Sequence, residues 1–156
     1  DIKVDVCLDL SYYSSITPTI SSTARKKYNI IAGNRFSEKN DEVISEINED
    51  CRIDIFSENW SEIINKLKLS NLLVTGRHHE MYAACKAGCP FIVLEGNTHK
   101  NSGLLETFGI KTPILSRHAT QHEIIETIDK CNTKEFKRLF KNMAKYPAPN
   151  FYEKIF

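Results

Sequence analysis

Arg77, His78, His79 and Glu80 follow directly on Thr75-Gly76, inside the stretch NLLVTGRHHEMYAACKAGCPFIVLEG from Asn71 to Gly96. A run of cationic and titratable side chains, placed where an apolar segment gives way to small residues, makes a poor core and a good anion holder. Arginine offers a planar fork of donors that matches carboxylate or phosphate oxygens, and histidine a ring that can donate or carry a proton. Gly76 removes the side chain that would keep a ligand from the turn. A helix starting here adds unpaired N–H groups and a partial positive charge. A cation disfavours a helix N-terminus, so the placement of Arg77 and His79 argues for an anion site over solvated surface. Arg35, after YNIIAGN, and Lys100, in NTHKNSG, join the candidates on the strength of their positions after apolar runs. His78, His99 and Glu80 carry less of the argument, and His118 and His122 read as surface.

The elements that position these residues show in the hydrophobic periods. Ile2, Val4, Val6, Leu8 and Leu10 alternate, which predicts a strand over residues 1–10; the Ser, Thr and Pro content of 11–23 predicts a linker. Strands are expected at YNIIAG, RIDIF, NLLVTG, FIVLEG and TPILS. Between them, helical faces appear at Val43, Ile44, Ile47 and Cys51, and at Trp60, Ile63, Ile64 and Leu67 behind a capping Ser57. Further helices are expected from Gly76 to a stop at Gly88 with Pro90 beyond, at Leu104 to Phe108, behind the capping-box pair Thr120 and Glu123, and from Thr133 with Phe136, Leu139, Phe140 and Met143 on one face. Apolar strands separated by amphipathic helices predict an α/β fold: a doubly wound, Rossmann-like parallel sheet of about five strands. Ligands of such sheets bind at the carboxyl ends of the strands, so Arg35, Arg77, His79 and Lys100 should share one rim. The expected partition is a strand and linker over 1–23, a Rossmann-like domain over 24–146 and a Pro-rich tail over 147–156.

Composition narrows the function classes. At 156 residues the chain fits one domain able to bury roughly two-thirds of its unfolded surface. With 21 basic and 20 acidic residues there is no overall field to attract nucleic acid or an anionic membrane. No apolar run approaches the roughly 20 residues of a membrane span, so a non-spanning, cytoplasmic protein is expected. The five cysteines lack Cys-x-x-Cys spacing and read as small core residues in a reducing compartment; a zinc site drawn from His78, His79, Cys85 and Cys89 is the weaker alternative.

The segment VTGRHHEMYAACKAGCPFIVLEGNTHKNSGLLETFGI resembles the central signature of the polysaccharide pyruvyl transferase family: a strand, Gly-Arg-x-His, a small-residue helix, Gly-x-Pro before the next strand, then a Lys-containing loop. YNIIAGNRF resembles the first strand of that family's C-terminal domain with its Arg, and VDVCLDL the strand closing its N-terminal domain. The resemblance implies a GT-B type fold, two Rossmann-like domains facing across a cleft, of which this chain is the C-terminal, donor-binding one. It implies transfer of pyruvate from phosphoenolpyruvate to two sugar hydroxyls as a ketal, in cell-surface polysaccharide synthesis, with phosphoenolpyruvate as substrate and neither cofactor nor metal. Arg77 and His79 fall on the Arg-x-His, Arg35 on the first-strand Arg and Lys100 on the later basic position; His79 is the implied catalytic residue, as acid or phosphate donor. Two positions depart from the pattern, His78 where an apolar residue is usual and Glu80 where Gly is. Almost the whole N-terminal domain is missing, so an N-terminal domain or partner subunit is expected to complete the cleft and a saccharide acceptor to occupy it. Two other classes share the pattern: the donor domain of a nucleotide-sugar glycosyltransferase, with Glu95 or Glu106 for ribose hydroxyls, and a binding domain without catalysis.

Overall fold

The computed structural model describes Tyr12 and residues 28–33, 51–96, 99–116, 118–131 and 133–145. Four strands and five helices alternate among them: β1 Tyr28–Ala32, α1 Trp60–Lys68, β2 Ser70–Thr75, α2 His78–Ala87, β3 Phe91–Leu94, α3 Lys100–Thr107, β4 Ile114–Leu115, α4 Gln121–Asp129 and α5 Thr133–Met143. The strands form one all-parallel sheet in the order β1-β2-β3-β4. The register sets Ile31 beside Leu73, Leu73 beside Phe91, and Val93 beside Ile114.

Both faces of this sheet are covered, as a doubly wound fold requires. Alternate residues point to opposite faces of a strand. Leu73, Phe91 and Val93 pack with Ile63, Ile64 and Leu67 of α1, Met81 and Cys85 of α2, and Phe136, Leu139 and Met143 of α5. The intervening Leu72, Val74, Ile92 and Leu94 pack with Ala119 and Ile124 under α4. The result is a Rossmann-like α/β fold, with continuous apolar strands because neither face meets water.

Helix boundaries follow local chemistry. The α1 start is a capping box in which Asn59 accepts from the Glu62 N–H and Glu62 accepts from the Asn59 N–H, both at 3.0 Å. Thr120 and Glu123 make the expected box at α4. Gly88 ends α2 in the left-handed region at φ 68°, the conformation glycine adopts without a Cβ penalty.

Three expectations need correction. RIDIF is not a strand: only Arg52 forms a bridge, parallel to Ala32, and the Ile53 N–H donates to the Ala32 carbonyl. Asp54 then turns the chain, its carboxylate accepting from the Phe56 N–H and the Ser57 hydroxyl, both at 2.9 Å. This side-chain turn outcompetes a ladder that alternation alone would favour, and it leaves four strands in place of about five. It also occupies Ser57, so the α1 cap is Asn59. Finally, α3 begins at Lys100, which places that residue on a helix start and not in a loop. The strand predicted over 1–10, the helical face at Val43, Ile44 and Ile47, Arg35 and the tail over 147–156 lie outside the described residues.

Candidate functional site

The path of the chain around β1 gives the position at which an open α/β sheet takes its ligand. From β1 the chain reaches Arg52, which pairs with Ala32 along one edge of β1; it then passes through α1 and returns as β2 along the other edge, where Ala32 pairs with Val74. The winding direction therefore reverses at β1, and in open α/β sheets the ligand crevice lies outside the strand carboxyl ends at such a reversal. Gly33, at the end of β1, and Thr75-Gly76, at the end of β2, border it.

Beneath that border lies a buried polar cluster. Thr75, Glu80 and Asn101 are each at most 4% exposed. The Thr75 hydroxyl accepts from the Arg77 N–H at 2.9 Å and donates to the Glu80 carboxylate. Buried polar groups persist where they are hydrogen-bonded, and this relay ties the end of β2 to the first turn of α2. Gly33 lies against the same carboxylate: a Cβ there would stand 1.8 Å from Glu80 Oε2 and 2.7 Å from Thr75 Oγ1. The close approach of β1 to Glu80 thus requires glycine. Asn101 closes the other side, its amide donating to the Gly76 carbonyl at 2.9 Å and the Leu94 carbonyl at 3.5 Å. The carboxyl ends of β1, β2 and β3 are joined by three side chains and one glycine.

On this base stand the residues singled out by type and spacing. Arg77 is the N-cap of α2, half-buried, in extended conformation, and its side chain makes no capping bond to its own helix. Its guanidinium carbon lies 4.7 Å from the centroid of the Phe56 ring. His79, two residues on, is exposed; His78 is half-buried and meets the Tyr82 ring edge-on at 4.9 Å, one helical turn away. Lys100, exposed, is the first residue of α3, and its neighbour Asn101 anchors that helix start to the turn carrying Arg77. The structure therefore brings the Arg77–His79 turn and the Lys100 helix start to one rim. Arg35 lies outside the described residues.

Charge on this rim comes from Arg77, Lys100 and two helix starts, an arrangement that attracts carboxylate or phosphate. Cys85 and Cys89 lie in the core. Cys85, buried in α2, has its thiol pushed well above the ordinary range by burial and secondarily by Cys89; burial also raises Cys131. Such thiols stay protonated near neutral pH. Among the described residues no group of three His, Cys, Asp or Glu side chains is placed to hold a metal, and no helix is long and apolar enough to cross a membrane. A separate cleft of about 140 Å³ opens at the other end of the sheet, before β4, between Ile92, Pro113, Thr127 and Cys131.

Three residues of the site, Thr75, Asn101 and Phe56, carry no motif signal, and Glu80 is only a minor candidate in the sequence. Thr75 and Asn101 are single polar residues in apolar or helical surroundings, and their roles depend on contacts distant in sequence. Glu80 signals itself as an acidic residue in a first helical turn, although Arg77 is no capping residue. Phe56 is marked only by Asp54 two residues before it. No protein-family model matches the chain, and no curated protein matches it.

Proposed function

We propose that this chain is the donor-binding domain of a pyruvyl transferase of GT-B type, taking phosphoenolpyruvate at the β2–α2 turn for transfer to a saccharide. The observation that supports this reading is Arg77 standing at the N-cap of α2, beside the sheet reversal. Phosphoenolpyruvate carries a carboxylate and a phosphate. A guanidinium fork, a lysine and two helix starts complement both groups, and Arg35 adds a third cation in the resemblance.

The chemistry asked of the site is electrostatic. Protonation of the methylene carbon makes C2 electrophilic; a sugar hydroxyl adds there, and a second hydroxyl displaces phosphate to close the ketal. Cations aimed at the phosphate stabilise it as it departs. In this reading His79, exposed at the rim, donates to the phosphate or supplies the proton, and the facing domain contributes the acceptor and the remaining acid–base group.

The test is calorimetric titration of the protein with phosphoenolpyruvate and, separately, with a uridine or guanosine diphosphate sugar. Phosphoenolpyruvate should bind, with affinity falling as salt rises. Binding of the diphosphate sugar without phosphoenolpyruvate would replace this reading with that of a glycosyltransferase donor domain.

A further inference from the structure

Phe56 is 77% exposed, the most exposed large apolar side chain among the described residues. A phenylalanine left in water forgoes about 2 kcal/mol of burial, so its placement is not explained by the core. Nor is its position left to a loose loop. Asp54 accepts from the Phe56 N–H and the Ser57 hydroxyl, and the Asp54 N–H donates to Glu58 Oε1 at 2.9 Å. Glu58 is itself paired with Lys66 at 3.0 Å, and Lys66 donates to the Arg52 carbonyl at 3.1 Å. The turn is thus fastened to α1 and to the bridge beside β1, and it holds the ring against the Arg77 guanidinium.

We propose that Phe56 is a positioning residue of the anion site: its ring lies against the guanidinium of Arg77 and restricts the orientations from which that side chain meets a carboxylate or phosphate. An arginine side chain otherwise loses considerable rotamer freedom when it grips a ligand. A guanidinium already in contact with an aromatic ring loses less. The inference rests on the anion-binding reading of Arg77, and it names the contact that restricts this side chain before the ligand arrives.

The experiment titrates wild type, Phe56→Leu, Phe56→Trp, Arg77→Ala and the Phe56→Leu/Arg77→Ala double variant with phosphoenolpyruvate and with inorganic phosphate in low-salt buffer, with a thermal melt of each. Phe56→Leu keeps apolar bulk without the aromatic face and should weaken binding roughly three- to fivefold, with the melting temperature unchanged because the side chain is exposed. Phe56→Trp should bind at least as well as wild type. In the Arg77→Ala background Phe56→Leu should have no further effect. Independently of any ligand, the Arg77 side-chain proton resonances should carry a ring-current shift that Phe56→Leu abolishes. Phosphate binding without any preference for phosphoenolpyruvate would remove the donor reading and leave the role of Phe56 measurable on phosphate. Equal affinities for wild type and Phe56→Leu, an equal loss in both Arg77 backgrounds, an absent ring-current shift, or no binding of either anion would overturn the proposal.

Discussion

Glu80 presses against the backbone of Gly33 and receives the Thr75 hydroxyl, so the three residues act as one lock on the turn that presents Arg77. Thr75→Val keeps the shape and removes the hydroxyl, which takes the acceptor from the Arg77 N–H and one donor from Glu80. It should cost about 1–3 kcal/mol in denaturant unfolding, with Thr75→Ser restoring most of it. Gly33→Ala should cost about 3 kcal/mol, because the added methyl meets a carboxylate that packing holds in place; combining it with Glu80→Ala should lose less than the two single changes added together. Cys85 yields a pH prediction. Its folded-state thiol is raised above its unfolded value, so the folded chain keeps a proton that the unfolded chain releases above the ordinary thiol value near 9. Stability should therefore be level with respect to this group below that pH and fall above it, by up to about 1.4 kcal/mol per pH unit. Urea unfolding of wild type and Cys85→Ala at neutral pH and near pH 10 checks it: the variant should lose less between the two. Arg77 and His79 stood out in the sequence because their types are wrong for a core, and the structure keeps both out of it, Arg77 half-buried and His79 exposed. The place of Glu80 was not legible, since nothing local reveals that a carboxylate will lie under a glycine about fifty positions earlier in the chain.

At the scale of elements, the legible features were those with local causes. The Thr120–Glu123 box, the Gly88 stop and the apolar face of α5 are written into spacings of three and four residues and appear as expected. RIDIF failed for an equally local reason that alternation conceals: the second residue of its apolar–polar pattern is an Asp whose side chain closes a turn. The α1 cap shifted with it. Asn59→Ala should destabilise the fold by about 1 kcal/mol, whereas Ser57→Ala should change little, because Asn59 and not Ser57 accepts from the helix N–H groups. At α4, the Glu123 carboxyl is held below its ordinary range, first by the Thr120 N–H and then by the Thr120 hydroxyl. A depressed carboxyl contributes above its unfolded value and loses that contribution as pH falls through the folded one. Thr120→Val removes the hydroxyl and keeps the N–H, so it should flatten the acid limb of the stability–pH curve only in part, measured by thermal melts from neutral to acid pH.

For the whole molecule, alternation of apolar strands with amphipathic helices predicted a parallel sheet covered on both faces, and such a sheet is present. The reversal of winding at β1 was not legible, because it depends on which edge each strand joins, and strand order is a property of packing and not of any one segment. That reversal converts scattered candidates into one rim: Gly33, the Arg77 turn and, through Asn101, the Lys100 helix start lie together at the strand ends where open α/β sheets take ligands. The most direct test of this placement is an amide chemical-shift map of the labelled protein titrated with phosphoenolpyruvate. The largest shifts should fall on Gly33, Gly76, Arg77, His78 and His79, with smaller ones at Lys100 and Asn101, and they should vanish in Arg77→Ala. Shifts gathered instead around Ile92, Thr112 and Cys131 at the opposite end of the sheet, or a map unchanged by Arg77→Ala, would contradict the account.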